Sequence, residues 1–535
     1  MNRSIQNVCR LALTLTLTLT LAATITPLCA APAKPETPPT DNPAKAYAIL
    51  WIDEIRWDTL VSIDAYAGES WDARFEAAQA ELVKKGGGVV FFPAGTYAFK
   101  ETLRLDSHVV IRGAERGDAR EQAFAPVTRF DFPKYQARCE GDGTPKDTAF
   151  KGIELKEPNR TTHCGVVNID IRHGHIRFGC DIYERQQFID GFQTYGRNHI
   201  IYGCRLTHAA ILDPNIPRDW QQPWQRWTHR HNAAIEIRAA ANVLVANNRI
   251  PESVTAGVTP GNPGPDQCDF PMPGYQIQQS NKTVVRDDIV FRYDNRPGIY
   301  VNYGRTEGTP ETHPYCFAPG IDIRANYVYC YGCLAIGFSG DGVYCGSNII
   351  RYSPNAYLPI YNGDTFSHFT NNNRAIEMRG WRWTVAYNNY EVYSNTQPSG
   401  DFGGHYGDGE GIMHEAHENC DIRDSKLLYN TGNRRLYLWR VPIDGLEIRG
   451  NIVKEQITVQ GQVHRANTLH TIKNVRIVDN VSEDLIRFHG TNGVNNVIRG
   501  NRCIAPTPGN IELTIEGTTV ENNMNYKVTD RLTYR

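Results

Sequence analysis

From Ala233 onward the chain repeats one pattern of apolar and polar positions. Two or three apolar residues alternate with polar ones, a break of four to eight residues follows, and a second alternating run closes on Asn, Asp or Gly. AIEMRGWRWTVAYNNYEVYS (Ala375 to Ser394) shows it most plainly. Ala233 to Ile250, Leu334 to Ser353, Glu410 to Leu428, Arg434 to Val453, Asp484 to Ile504 and Asn510 to Asn523 repeat it. The middle of each first run serves as a marker: Glu236, Tyr300, Gly337, Glu377, Met413, Tyr437, Thr458, Arg487 and Glu512. Successive markers are 64, 37, 40, 36, 24, 21, 29 and 25 residues apart. The last four steps are the length of a bare β-solenoid coil, and the earlier ones are a coil plus an inserted loop. No helix-sized apolar periodicity separates the copies, so helical repeats are disfavoured. The fold class expected is all-β, a single-stranded right-handed parallel β-helix, because crossovers between parallel strands of one sheet are right-handed.

A solenoid's first coil exposes an apolar end that something must cover. WDARFEAAQAELVKKGGG (Trp71 to Gly88) places Phe75, Ala78, Leu82 and Val83 on one helical face and stops at glycine, so a capping helix is expected at about residues 71–85. GGGVVFFPAGTY, L-R-L and VVIRGA follow it. This stretch resembles the opening of the pectate lyase superfamily of parallel β-helix proteins, and the resemblance implies an exported, carbohydrate-active protein. The motifs of its best-known branches are missing: D-D occurs once, at Asp287 and Asp288, without N-T-D, G-H-G or R-I-K, and neither W-x-D-H nor R-x-P-x-x-R is present. Catalytic residues therefore cannot be carried over position by position.

At 535 residues the chain exceeds ordinary single-domain size, but coils that touch only their neighbours escape that limit. Arg3 and Arg10, an apolar run from Leu11 to Leu28 and small residues at Ala30 and Ala31 lay out a secretory signal peptide over residues 1–31. A Pro-rich linker is expected over residues 32–46 and one β-helix domain over 47–535. Secretion or a periplasmic location follows from that layout. The net charge of −2 offers no basic excess for nucleic acid or an anionic membrane surface. Eleven cysteines remain once Cys9 and Cys29 leave with the signal, some available for disulfides, and oligomeric state is left open.

Long loops are expected at residues 213–232, 251–296, 305–319, 354–373 and 395–409, and their clustering on the central coils would wall a cleft. The first holds Trp220, Trp224 and Trp227, which either pack it onto the solenoid or offer a sugar-stacking platform. Residues alternating with the apolar ones in the first strands are expected to point outward in two columns. The pairs are Glu154 and Lys156, Gln193 and Tyr195, Glu236 and Arg238, Tyr300 and Asn302, Gly337 and Ser339, Glu377 and Arg379, Met413 and Glu415, Tyr437 and Trp439. Glu377, Arg379, Glu415, Asp408, Glu410 and His414 form the catalytic candidate. Glu236, Arg238, Tyr300, Asn302, Asp341, His368, Tyr437 and Trp439 are the substrate-binding candidates. An acid, a base and an arginine suit a lyase acting on a uronic-acid polysaccharide by β-elimination, with calcium at Glu236, Asp341 or Glu377 as an optional cofactor. Alternatives are a glycoside hydrolase using paired carboxylates and a non-catalytic glycan-binding β-helix or surface adhesin. Solvated strands that merely alternate Glu and Arg are the plainer reading of the same residues. Asn247, Asn248, Asn388, Asn389, Asn451, Asn480 and Asn501, at the close of second strands, are expected to form a stacked structural ladder.

Overall fold

The computed structural model describes residues 38–114, 117–121, 124–133, 135–139, 145–146, 151–158, 160–179, 196–207, 210–212, 233–250, 269–271, 275–279, 282–286, 290–292, 298–302, 317–331, 334–353, 359–362, 365–368, 374–392, 410–415, 421–439, 441–461 and 469–530. The fold is a right-handed parallel β-helix. Three long sheets run its length: sheet A begins with Leu60–Ser62, sheet B with Gly95–Ala98 and sheet C with Leu103–Leu105. They hold 15, 12 and 13 strands, so each coil gives about one strand to each sheet. One coil reads Leu334–Asp341 in C, Tyr344–Gly346 in A and Ile349–Ser353 in B, and Arg374–Trp381 begins the next in C. Every step between neighbouring coils in these sheets is parallel, as Ile336 beside Ile376 illustrates.

All nine sequence markers fall on one ladder of sheet C. Glu236 pairs with Tyr300, then Gly337, Glu377, Met413, Tyr437, Thr458, Arg487 and Glu512 in turn. The expected alternation holds beside them: Ile235 and Ile237, Ile336 and Phe338, Ile376 and Met378 are buried in one continuous core. On the second coil the expected outward pair is not the one in the ladder. Gln193 and Tyr195 lie outside the described residues, and the strand in that place is His175–Phe178, with Arg177 between Glu154 and Glu236.

From Gly165–Val167 onward a two-residue corner joins the sheet A strands to sheet B. Its first residue has positive φ, as at Asn247, Ser347, Asp479 and Gly500, a region that Asn, Asp and Gly enter most readily. Its second is asparagine in nine successive coils: Asn248, Asn326, Asn348, Asn388, Asn430, Asn451, Asn480, Asn501 and Asn523. Asn388 shows the arrangement. Its backbone N–H and Nδ2 both donate to Asn430 Oδ1, at 3.0 and 2.9 Å, and Nδ2 also donates to Cys345 O at 3.0 Å. Of the asparagines expected in the ladder, Asn247 and Asn389 are not members: Asn247 holds Gly117 and Ala119, and Asn389 is exposed on a sheet B strand.

The capping helix spans Trp71–Lys84, with Ser70 as N-cap accepting from Ala73 N–H. It buries Phe75, Ala78, Gln79 and Leu82. Val83 is 47% exposed rather than inward, because Gln79 takes the place on the buried face. Gln79 donates to Arg104 O and accepts from Asp106 N–H, each at 2.9 Å, which satisfies the open edge of the first sheet C strand. Residues from Thr40 onward cluster with the coils. Ala44, Ile52, Ile55 and Trp57 pack on the outside of sheet A against Val89, Val110, Val167, Ile200 and Leu244. Asp41 there receives the wholly buried guanidinium of Arg112 at 3.1 Å. Asp41 and Ala44 fall within the stretch expected as a Pro-rich linker, which carries no strand or helix periodicity. Cys164, Cys204, Cys345 and Cys503 are buried free thiols.

Among the described residues two histidines lie inside the solenoid. His199 rests edge-on against Phe178, and His414, paired with core residue Leu438, lies over Trp383. Burial depresses their pKa values to about 3 and about 4, with Arg379 adding to the effect at His414. Both rings are neutral in the folded protein at pH 7.

Two outcomes follow. Asn388→Ala orphans buried donors and acceptors in the coils on either side and should lower stability by about 2–4 kcal/mol in urea unfolding, whereas Asn389→Ala should change it by less than about 1 kcal/mol. A histidine with a depressed folded pKa contributes full stability above its unfolded pKa and loses it as pH falls toward the folded value. His414→Gln should therefore cut the loss of unfolding free energy between pH 7 and pH 5 by about 2 kcal/mol relative to wild type.

Candidate functional site

The insertions expected over residues 213–232, 251–296, 354–373 and 395–409 all join sheet B to sheet C, entering at Ile235–Ile237, Ile299–Val301, Arg374–Trp381 and Glu410–Glu415. Residues 305–319 begin just after Ile299–Val301, at the other end of the sheet C strand. Four of the five long insertions thus lead directly into sheet C strands. Strand pairs Asp269–Pro271 with Val290–Arg292, Tyr275–Gln279 with Lys282–Arg286, and Pro359–Asn362 with Thr365–His368 lie within them as antiparallel hairpins.

The residues between the core positions of sheet C point away from the interior, yet at the central coils they are not solvated. Glu236, Tyr300, Glu377 and Met413 are all 3% exposed or less. Burying a carboxylate is costly unless it is paired, and each of these is. Arg238 Nε donates to Glu236 Oε1 at 2.6 Å, and Arg177 Nε lies 3.8 Å from Oε2. Arg379 Nη2 donates to Glu377 Oε1 at 2.9 Å, while Arg374 Nη1 donates to Oε2. Arg374 also lies 3.8 Å from Glu410 Oε2, and Arg435 Nη2 donates to Glu410 Oε1 at 2.6 Å. Towards the N-terminus the outer column alternates in sign through Arg104, Glu154 and Arg177 to Glu236. Three strand spacings, roughly 14 Å, separate Glu236 from Glu377, with Tyr300 and Gly337 between them.

The proposed residues divide as follows. Glu377, Arg379 and Glu410 come together. The Glu415 backbone pairs with Trp439, while the pairing of its strand with Arg374–Trp381 runs only as far as Glu377 and Met413, two residues short of Arg379 and Glu415. The side chains of Glu415 and His368, and all of Asp408, lie outside the described residues, as do Trp220, Trp224 and Trp227. His414 is a correction to the catalytic group alone, since the alternation already gave it an inward place: it faces the interior with Ile412 and Leu438, away from the wall. Asn302 is another. It has positive φ, donates to Ala240 O at 2.8 Å and accepts from Ala240 N–H at 3.0 Å, holding a corner rather than facing a cleft. Asp341 pairs with Arg382 at the far end of its strand, beside Trp381.

The carboxylates offered for calcium do not suit a cation. Glu236 and Glu377 each receive guanidinium N–H groups and are three coils apart, and Asp341 is taken by Arg382. Among the described residues no group of three or more His, Cys, Asp or Glu could hold a metal ion.

Tyr437 and Trp439, both half-buried, stack with ring centroids 5.3 Å apart and planes at 27°, and Arg435 Cζ lies 4.4 Å over the Tyr437 ring. Two hydroxyls on the wall flank this arrangement. Ser339 Oγ, on the residue paired with Arg379, and Thr458 Oγ1, on the residue paired with Tyr437, are buried without a partner among the described residues.

Arg374, Arg177 and Arg435 were missed in the sequence. Strict alternation would put Arg374 inside with Ile376 and Met378. The alternation breaks at Ala375, which joins Ile376 in the core and turns Arg374 to the wall. Ala335 and Ala234 mark the same break in two earlier coils, and a small residue just ahead of the apolar run was the available signal.

No family model matches the sequence, and no curated protein matches it. Among solved structures the chain is similar to PfbA, a surface adhesin of Streptococcus pneumoniae, at 13% identity over 88% of this chain and 91% of that one, with a TM-score of 0.42. It is also similar to the A-module of the Azotobacter vinelandii mannuronan C-5 epimerase AlgE6, at 10% identity over 88% and 95%, with a TM-score of 0.33. DFA-IIIase from Arthrobacter chlorophenolicus A6 without its lid is similar at 11% identity over 88% and 97%, with a TM-score of 0.38.

Proposed function

We propose that the chain is an exported polysaccharide-degrading enzyme, a lyase that cleaves a uronic-acid-containing polysaccharide by β-elimination on the outer wall of sheet C. The observation that carries this reading is Glu377, outside the core yet fully buried, with one arginine on each carboxylate oxygen. An ion pair so placed adds little to stability over an apolar pair of the same size. It does hold Arg379 rigidly on the wall among the long loops, which is what a substrate carboxylate requires of its partner.

In β-elimination a base removes the proton beside the uronate carboxylate, a C4–C5 double bond forms, the C4–O bond breaks and the departing oxygen takes a proton. Arg379 would neutralise the substrate carboxylate as charge builds on it. Glu415, two residues past Met413 on the neighbouring strand, is assigned the proton transfer. Tyr437 and Trp439 would seat a neighbouring sugar ring. Hydrolysis by paired carboxylates is less well served, since both Glu377 oxygens accept from guanidinium groups and neither is placed to donate a proton. Export, to the periplasm or beyond, rests in this reading on the leader expected at residues 1–31. No helix among the described residues is long and apolar enough to cross a membrane.

The test is incubation with polygalacturonate, polymannuronate and neutral glucans, following the ultraviolet absorbance of unsaturated uronate and, separately, new reducing ends. Wild type should give the unsaturated product from a uronate polymer. Glu377→Gln and Arg379→Lys, checked for folding by circular dichroism, should slow it at least about 100-fold. Reducing ends without the ultraviolet signal would replace the lyase with a hydrolase. Glycan retention with no product, unchanged in Glu377→Gln, would make the protein an adhesin.

A further inference from the structure

The buried centre and the aromatic pair are joined by one unbroken set of contacts across three consecutive sheet C strands. Arg379 donates to Glu377, Arg374 bridges Glu377 and Glu410, Arg435 donates to Glu410, and the Arg435 guanidinium lies on Tyr437, which stacks on Trp439. Exposure rises along it, from 0% at Glu377 through 5% at Arg374 and 16% at Glu410 to 29% at Arg435. A planar guanidinium held by a carboxylate on one side and lying on a ring on the other fixes both. Arg435 therefore removes rotamer freedom from Tyr437, and Tyr437 from Trp439. Thr458 Oγ1, buried and unpartnered among the described residues, sits on the residue next to Tyr437 in the ladder. It adds a hydroxyl lacking a partner beside a preset aromatic surface.

We infer that Arg374 and Arg435 are positioning residues that tie Tyr437 and Trp439 to the buried centre, making the aromatic pair a preorganised subsite for the apolar face of a pyranose ring, with Thr458 meeting one of its hydroxyls. The inference rests on the polysaccharide reading of this wall. It differs from that reading in assigning work to two arginines that touch no substrate. Their effect is on affinity: ordering the rings before binding lowers the entropy cost of seating the sugar.

Oligogalacturonate, oligomannuronate and cello-oligosaccharides, titrated calorimetrically into the full chain, separate the two ideas. If none binds wild type, the polysaccharide reading itself falls. If one binds, Arg435→Leu should weaken it about tenfold and raise KM with little change in kcat, Glu410→Gln should weaken binding comparably, and Arg435→Lys should recover part of the loss. Trp439→Ala should weaken binding comparably, and Arg435→Leu combined with it should add almost nothing further. Unchanged affinity in folded Arg435→Leu, or fully additive losses in the double variant, would overturn the inference while leaving the polysaccharide reading in place.

Discussion

The structure depends on the corner that closes each sheet A strand. From Asn248 to Asn523 an asparagine there gives its backbone and side-chain N–H groups to the amide oxygen of the next coil's asparagine, in one row that is buried as far as Asn501. Such a row tolerates one geometry only, because each amide must meet its neighbour at the strand spacing of about 4.8 Å. Extra residues inserted at that corner would break the row and leave buried polar groups unmet. Each coil along it therefore passes from A to B in the same two residues, as at Asn247 and Asn248 or Tyr387 and Asn388. Additional chain is accommodated where no such row exists, chiefly between B and C. The placement of the candidate site on sheet C follows from where the fold forbids insertions.

That division explains why charged residues outside the core are nonetheless buried. On the last coils, where loops are short, outward groups such as Glu447 and Arg487 keep some contact with solvent. On the central coils Glu236, Arg238, Glu377 and Arg379 lose nearly all of it and are held as pairs. The same Glu-x-Arg spacing occurs on solvated strands, for instance Glu447 and Arg449. Burial, rather than the motif, sets the two central pairs apart.

The sequence exposed the sheet C register because its strands obey a period of two and bury one face, so a slip of one residue would turn every Ile and Phe outward. Sheet B was not legible as a separate element. Its strands are as short as Ile452–Val453, too brief for alternation to register. The site was legible where alternation is strict, as at Glu377 and Arg379, and illegible where it fails, as at Arg374 behind Ala375. His414 carried an inward assignment by period and was still counted with the catalytic group. Its neutral, depressed state shows that a core can keep an imidazole when burial suppresses its charge. Long-range contacts such as Arg112 with Asp41, across 71 residues, leave no local trace at all.

The four buried free thiols have a chemical consequence. Cys164, Cys204, Cys345 and Cys503 are sealed within the coils, and burial raises the thiols of the first three, Cys204 to about 12. Oxidants and electrophiles attack the thiolate, which is almost absent at such positions. In an oxidising compartment these thiols would stay reduced for as long as the coils stay closed. Sulfur oxidation at them would then record how often individual rungs breathe, rather than mark damage at the working surface.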